Sequence, residues 1–316
     1  MTKKKIETVK SEKSIVVQDR NTAYFFPNHI TSNIASFLKN GNLIDINFQI
    51  SLNGFAVLNT CGFDSFSEII NTAYGTNMGF KNFIDAQKTN VQKDLDYLDF
   101  ITLYHKQGPS AEVYRLRALI LRSIFESRYS RKNKTVNCDS NVFDEVIPMI
   151  LNSSFDSTQL HVCESGCRDE YGRKSIPINF ADARFTKGNL KNTLETAIAI
   201  FQGNQGGSQT YRSHCPKTSS HIRHYTGTIS QHYLSFSTYS EFKFSISIIP
   251  HTLTVNNLTY QVVGVVSHTP GHFKAYIKAS ENEWLIKDDM TENIKYIPFD
   301  SLKSTEAEIT VLIYVR

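Results

Sequence analysis

This 316-residue chain has no apolar run near the ~20 residues that a membrane-spanning helix needs; Val262-Val263-Gly264-Val265-Val266 is typical of its longest. It has no strong charge of one sign either. A net charge of +4, with 20% charged and 40% apolar residues, is an ordinary globular balance and too mild to demand nucleic acid or a membrane surface. Cysteine is scarce. Five cysteines, odd in number and widely spread, exclude a disulfide framework and indicate a reducing compartment, cytosol or nucleus, with thiols kept for chemistry or metal. Internal repeats and low-complexity tracts are missing. No secretory leader is expected, because Lys3, Lys4 and Lys5 open the chain without an apolar stretch behind them. Residues 1–22 read as a flexible basic arm, solvated rather than nucleic-acid-binding.

The rest of the chain, 23–316, reads as a single elaborated domain. Phe63, Phe66, Ile69 and Ile70 recur at helical spacing and predict a buried helix opening at Cys61. Between about 90 and 152 the pattern stays helical. Val113, Leu116, Leu119, Ile120, Ile124 and Phe125 form an apolar face with Arg115, Arg117 and Arg122 largely around it, and a second helix is expected over Val142 to Leu151. From Glu241 onward strands follow one another. Phe242 to Pro250 alternates, Val255-Asn256-Asn257-Leu258 reads as a hairpin turn into Thr259 to Val266, and Phe273–Ala279, Trp284–Lys287 and Ile309–Val315 are further strands. Helices first and an antiparallel sheet after predict an α+β fold.

Chemistry concentrates in two distant segments. Asn59-Thr60-Cys61-Gly62-Phe63-Asp64-Ser65 places a thiol at a helix start, where unpaired N–H groups favour a thiolate and can hold an oxyanion. Gly271-His272 then sits between strand-forming runs, with Asp288 and Asp289 one hairpin further on. A cysteine, a histidine and an acid in that order can supply nucleophile, base and the group that orients the base. Neighbouring strand residues face opposite sides, so only one of the two aspartates is expected to reach the ring.

Taken together these segments resemble the ubiquitin-specific proteases, papain-like deubiquitinating cysteine peptidases. Their cysteine box reads Gly-Asn-Thr-Cys-aromatic-x-Asn-Ser, against Leu58-Asn59-Thr60-Cys61-Gly62-Phe63-Asp64-Ser65. Their histidine box reads Gly-His-Tyr-x-Ala-Tyr, then Trp and Asp-Asp, against Gly271-His272-Phe273-Lys274-Ala275-Tyr276, Trp284 and Asp288-Asp289. Tyr260 to His268 and Leu312-Ile313-Tyr314 match the flanking strands. The resemblance covers roughly residues 50 to 316. It implies Cys61 as nucleophile, His272 as base and Asp288 as orienter. It implies a helical thumb (about 50–152), β fingers (about 153–240) and an antiparallel β palm (about 241–316). The implied reaction cleaves the peptide or isopeptide bond after the Gly-Gly tail of ubiquitin through a thioester, with ubiquitin or ubiquitinated proteins as partners, no cofactor in catalysis, and a cytoplasmic or nuclear address.

Departures from that pattern are visible. The family's oxyanion-hole asparagine, five residues before the cysteine, is Ala56 here; Asn53, Asn59 or backbone N–H groups are the candidate substitutes, with Asp289 in a supporting role. Gly62 replaces an aromatic and Asp64 an asparagine. A catalytically weak or inactive ubiquitin-binding relative, or a protease for another ubiquitin-like modifier, are the alternatives these changes raise. The family's fingers often carry zinc between two cysteine pairs. The counterpart is Cys163, Cys167, Cys215 and His221, with His214 and His224 as other fourth ligands, a set suited to a structural tetrahedral site.

Overall fold

The computed structural model describes residues 37–90, 96–139, 146, 189–202, 229–237, 243–291 and 293–316, together with short strands at 159–163, 168–169, 178–179 and 223–227. The basic arm and the helix expected over Val142–Leu151, Val146 apart, lie outside the described residues.

Helices come first: α1 (Ile46–Asn53), the short strand β1 (Ala56–Leu58), then α2 (Cys61–Thr76), α3 (Met78–Asn90), α4 (Asp96–Gln107) and α5 (Ala111–Ile124). A three-stranded sheet joins β1 to β3 (Thr135–Asn137) in parallel and β3 to β2 (Tyr129–Ser130). The large sheet follows. Its order is β14 (Lys295–Ile297), β13 (Glu283–Lys287), β12 (His272–Ser280), β11 (Leu258–Thr269), β15 (Glu306–Val315), β8 (Tyr233–Ser237) and β6 (Ile178–Asn179), with β10 (Thr252–Val255) paired to β11 and β9 (Lys243–Ser245) to β15. Its pairings are antiparallel except β6 on β8. The mixed helix-and-sheet expectation therefore holds.

The central strands are buried on both faces, which is why their sequences run apolar without a break. Val263, Val266, Ala275, Ile277, Val311 and Ile313 point into a core shared with α2, α4 and α5. Val262, Val265, Tyr276, Trp284, Leu312 and Tyr314 point the other way, into a second core closed by α6 (Leu190–Phe201). Helix α2 is the axle between layers, packed on β11 and β12 on one side and on α4 on the other. Cys61 through Ile70 are buried without exception, and Phe63, Phe66, Ile69 and Ile70 carry its apolar contacts. Each such side chain contributes about 1.5–3 kcal/mol of transfer free energy.

Local turn chemistry fixes the strand ends. Asn256 and Asn257 both adopt positive φ (51° and 63°), the two-residue turn that suits a twisted hairpin. Pro270 and Gly271 fill the turn between Thr269 and His272, and Gly271 takes φ 75°, the requirement of the third place of a type II turn. That turn makes His272 the first residue of β12.

Two expectations need correction. Leu119 is exposed, while Arg117 is buried on the inner face of α5. The helical stripe is rotated because Asp64 on α2 gives Arg117 a partner inside. Phe242 to Pro250 is not one strand either. Ser245 accepts a hydrogen bond from its neighbour Ser247 N–H, and Ile246–Ile248 form a 3-10 turn.

Candidate active site

Cys61 stands at the first position of α2, behind Thr60. The Thr60 hydroxyl donates to Asp64 Oδ2 at 2.5 Å and accepts from Gly41 N–H at 2.9 Å. Asp64 is fully buried, and Arg117 Nη1 meets both of its carboxylate oxygens at 2.9–3.0 Å while also donating to Lys39 O. Burial pushes Asp64 up, and the Arg117 charge and the Thr60 hydroxyl oppose that rise. Asp64 thus comes with a buried cation on a different helix.

The second half of the site comes from the β11–β12 turn and the end of β13. His272 Nε2 meets Asp288 Oδ1 at 2.7 Å. Asp288 is further held by Lys274 Nζ at 2.9 Å and by the Met290 N–H at 3.1 Å. Burial acts to raise its pKa, but the hydrogen bonds from His272, Lys274 and Met290 overcome it and keep the carboxyl well below the usual carboxylate range. An ionised Asp288 on Nε2 leaves Nδ1 as the free ring nitrogen. Both aspartates approach the ring: Asp289 Oδ1 lies 3.5 Å from Nε2. The strict alternation expected of a strand fails because β13 stops at Lys287 and the two acids occupy the turn that follows.

The two halves meet. The N–H groups of Phe273, next to His272, and of Gly62 donate toward the Cys61 sulfur and act to lower its pKa. They do not prevail. Burial, with smaller contributions from the charges of Asp289 and Asp64, pushes the thiol up to about 12. A helix start was expected to favour the thiolate; here desolvation outweighs the helix and favours the protonated thiol. Asp289 is raised as well, first by burial and then by the charges of Asp64 and Asp288. Neither of its carboxylate oxygens has an aligned hydrogen-bond partner.

No family model matches the chain. A 120.7 kDa protein in the NOF-FB transposable element of Drosophila melanogaster is 24% identical over 284 residues, covering 82% of this chain. The chain spans 25% of that relative's length. Among solved structures, the Ubp8–Sgf11–Sgf73–Sus1 SAGA DUB module aligns with 89% of this chain and 67% of its own at 15% identity and TM-score 0.43. A form of that module bound to ubiquitin aldehyde aligns with 82% of this chain and 68% of its own at 15% identity and TM-score 0.37. A yeast SAGA DUB module carrying an Sgf73 mutant aligns with 89% and 68% at 16% identity and TM-score 0.40.

The candidate oxyanion residues fare differently. Ala56 is buried in β1, paired with Thr135. Asn59 adopts φ 57°, and its amide is engaged at both ends, accepting from Asn42 Nδ2 (2.6 Å) and donating to Asn137 Oδ1 (2.9 Å), so it serves as a turn fastener. Asn53 is the last residue of α1, ahead of β1 in the chain. Of the metal set, Cys167, Cys215, His214 and His221 lie outside the described residues. The backbone of β4 (Gln159–Cys163) pairs with β5 (Arg168–Asp169) and β7 (Arg223–Gly227), and puts Cys163 opposite Arg223 and Val162 opposite His224.

Three contributors escaped the sequence reading. Lys274 shares its strand face with His272, and period-two alternation is the signal that marks it. Arg117 gave no signal, since one arginine among several on an amphipathic helix reads as solvated. The third is a buried pair beneath the site: Lys287 Nζ meets Glu68 Oε2 at 2.7 Å, and Glu68 also accepts from Leu38 N–H and the Tyr104 hydroxyl. It ties α2, which bears the thiol, to the residue before Asp288.

Proposed function

We propose that the chain is a deubiquitinating thiol hydrolase with Cys61 as nucleophile, His272 as base and Asp288 as the acid that orients it, in a ubiquitin-specific-protease-like arrangement of thumb, fingers and palm. The observation that carries this reading is the meeting of the helix-start sulfur with the Phe273 N–H, one residue from an imidazole whose Nε2 is held by an ionised carboxylate.

In this reading the Cys61 sulfur attacks the carbonyl carbon of the terminal glycine while its proton passes to His272 Nδ1. The carbonyl electron pair moves to oxygen and forms a tetrahedral oxyanion. Collapse expels the amine, which takes the proton back from His272 and leaves a thioester. Water, deprotonated by His272, then attacks the thioester and returns the thiol. Asp288 keeps the ring in the correct tautomer and balances the imidazolium during both steps. The same His272–Asp288–Asp289 cluster has ligand atoms within 4.8 Å of one another, a spacing a metal ion could use, but the Lys274 ammonium already supplies the cation there.

The test is a ubiquitin probe with a thiol-reactive C-terminus. We expect an adduct at Cys61 that disappears in Cys61→Ala, and turnover of a ubiquitin C-terminal amide. Binding of ubiquitin without adduct or turnover would favour the inactive reading that Ala56 raises, and preference for another modifier's probe would reassign the substrate. A structural zinc on Cys163, Cys167, Cys215 and His221 belongs to the same proposal. What supports it is the register of β4 on β7, which sets Cys163 opposite Arg223, two residues past His221 in the chain. Metal analysis of the purified chain should find about one zinc per molecule, and a metal-free chain would remove that part.

A further inference from the structure

Acyl transfer of the kind proposed above needs a donor for the oxyanion, and this inference rests on that reading. The Ala56 side chain has none to offer, and the Asn59 amide is fastened to Asn42 and Asn137 in its own turn. A different loop reaches the same place. Gly41 N–H donates to Thr60 Oγ1 at 2.9 Å, and a Cβ added to Gly41 would lie only 2.0 Å from Val57 O, so this loop rests directly on the chain that enters Cys61. On its other side, Asn40 N–H donates to Asp289 O at 3.1 Å. Asn40 is thereby pinned between the residue before the nucleophile and the residue after the acid. Its Oδ1 accepts from Asn42 N–H at 3.0 Å, which settles the two ends of the amide and leaves Nδ2 turned out of its own loop. The Asn40 amide reaches the Asp289 carboxyl, which is 4% exposed and has no aligned partner among the described residues.

We propose that Asn40, from the loop preceding α1, supplies the side-chain donor to the oxyanion through Nδ2, and that Asp289 is the positioning residue that aims its amide. The loop delivers from outside the cysteine box what Ala56 removed from within it. Asn40 is 2% exposed, so the donor is held in a dry site before substrate arrives, where such a hydrogen bond has its largest effect.

The test separates two reactions of the same sulfur in the full-length chain, both read by mass spectrometry on the Cys61 peptide. Acylation by p-nitrophenyl acetate passes through an oxyanion; alkylation by iodoacetamide displaces iodide and forms none. Asn40→Ala and Asn40→Asp should lower the acylation rate by roughly 10²–10³-fold while alkylation stays close to the wild-type rate. Asn40→Asp keeps the size and the acceptor for Asn42 N–H, so a selective loss in that variant is a loss of the donor and not of the loop. Acylation that is unchanged in both variants, acylation and alkylation falling together, or a wild-type Cys61 that takes iodoacetamide but no acetyl group would each overturn the assignment. Neither reagent contains ubiquitin, so a failed ubiquitin probe sinks the substrate reading and leaves this result standing, and the reverse holds too.

Discussion

The strand side and the helix side of the site are built on opposite electrostatic principles. On the strand side the charge that meets the imidazole is fully partnered: Asp288 receives His272, Lys274 and the Met290 N–H, and its carboxyl is held ionised. On the helix side, and at Asp289 where the strand side faces it, burial dominates. Cys61 is pushed up to about 12, Asp64 and Asp289 are raised, and one arginine answers for the buried negative charge around Asp64. A base should be fixed and ready before substrate arrives. In the proposed reaction a nucleophile with a protonated resting state needs that base at the moment of attack, which would couple the two sides.

The largest test of this contrast removes the strand side. His272→Ala should reduce turnover of a ubiquitin amide by about 10⁴-fold, the scale at which triad members act, because the protonated thiol then has no acceptor. If the rate fell only a few-fold, the sulfur would be reacting without the imidazole, and the coupling of the two sides would be wrong.

The next test removes the helix side's cation. Arg117→Met leaves Asp64 buried without its partner and should cost about 3–5 kcal/mol in denaturant unfolding. Adding Asp64→Asn should recover a good part of that loss, because the stranded charge is gone. A small cost for the single variant would show that water or another cation reaches Asp64.

The same division explains what could be read from the sequence. The strand side was legible because its signals are local. Pro270-Gly271 sets the turn, His272 follows it, period two selects the face, and one hairpin returns Asp288. The opening of α2 at Cys61 was legible from Phe63, Phe66 and Ile69 for the same reason. Contacts between residues far apart in the chain were not. Arg117 meets Asp64 across 53 positions, Lys287 meets Glu68 across 219, and Asn40 meets Asp289 across the whole domain. Composition and periodicity carry no record of which distant side chains will share a low-dielectric space. The expected thiolate failed on that point: the helix start is a local feature, while the desolvation that overrides it comes from the packed layers around α2. The exposed Leu119 failed likewise, since an amphipathic stripe cannot show that its arginine has a buried partner.

Asp289 offers a smaller and oppositely signed effect. Its folded pKa is raised, so the stability it allows is complete below its unfolded pKa of ~3.9 and is lost as pH rises above that value. Asp289→Asn should therefore be more stable than wild type at pH 7, by on the order of 1–3 kcal/mol for relieving an unsatisfied buried group, and the gain should shrink as pH falls toward ~4. A variant less stable than wild type at pH 7 would mean that the Asn40 amide outweighs burial and the charges of Asp64 and Asp288.

The smallest effect is read at the alkaline end and isolates the sulfur itself. Cys61 is raised from an ordinary thiol value of ~8.5 to about 12. Its contribution to stability is fully present below ~8.5 and is lost as pH rises through that window, with a slope of up to about 1.4 kcal/mol per pH unit. The buried tyrosines Tyr97, Tyr104, Tyr114 and Tyr233 are also raised and weaken the fold at high pH, but Cys61→Ala shares all of them. The difference between wild type and Cys61→Ala, followed by denaturant unfolding from pH 7 to pH 10, should stay level to about 8.5 and then drift in favour of alanine. A level difference across the whole range would mean that the thiol ionises as easily in the fold as out of it. A drift in favour of cysteine as pH rises toward ~8.5 would instead mean a folded pKa below the ordinary value, a thiolate prepared in advance by the helix.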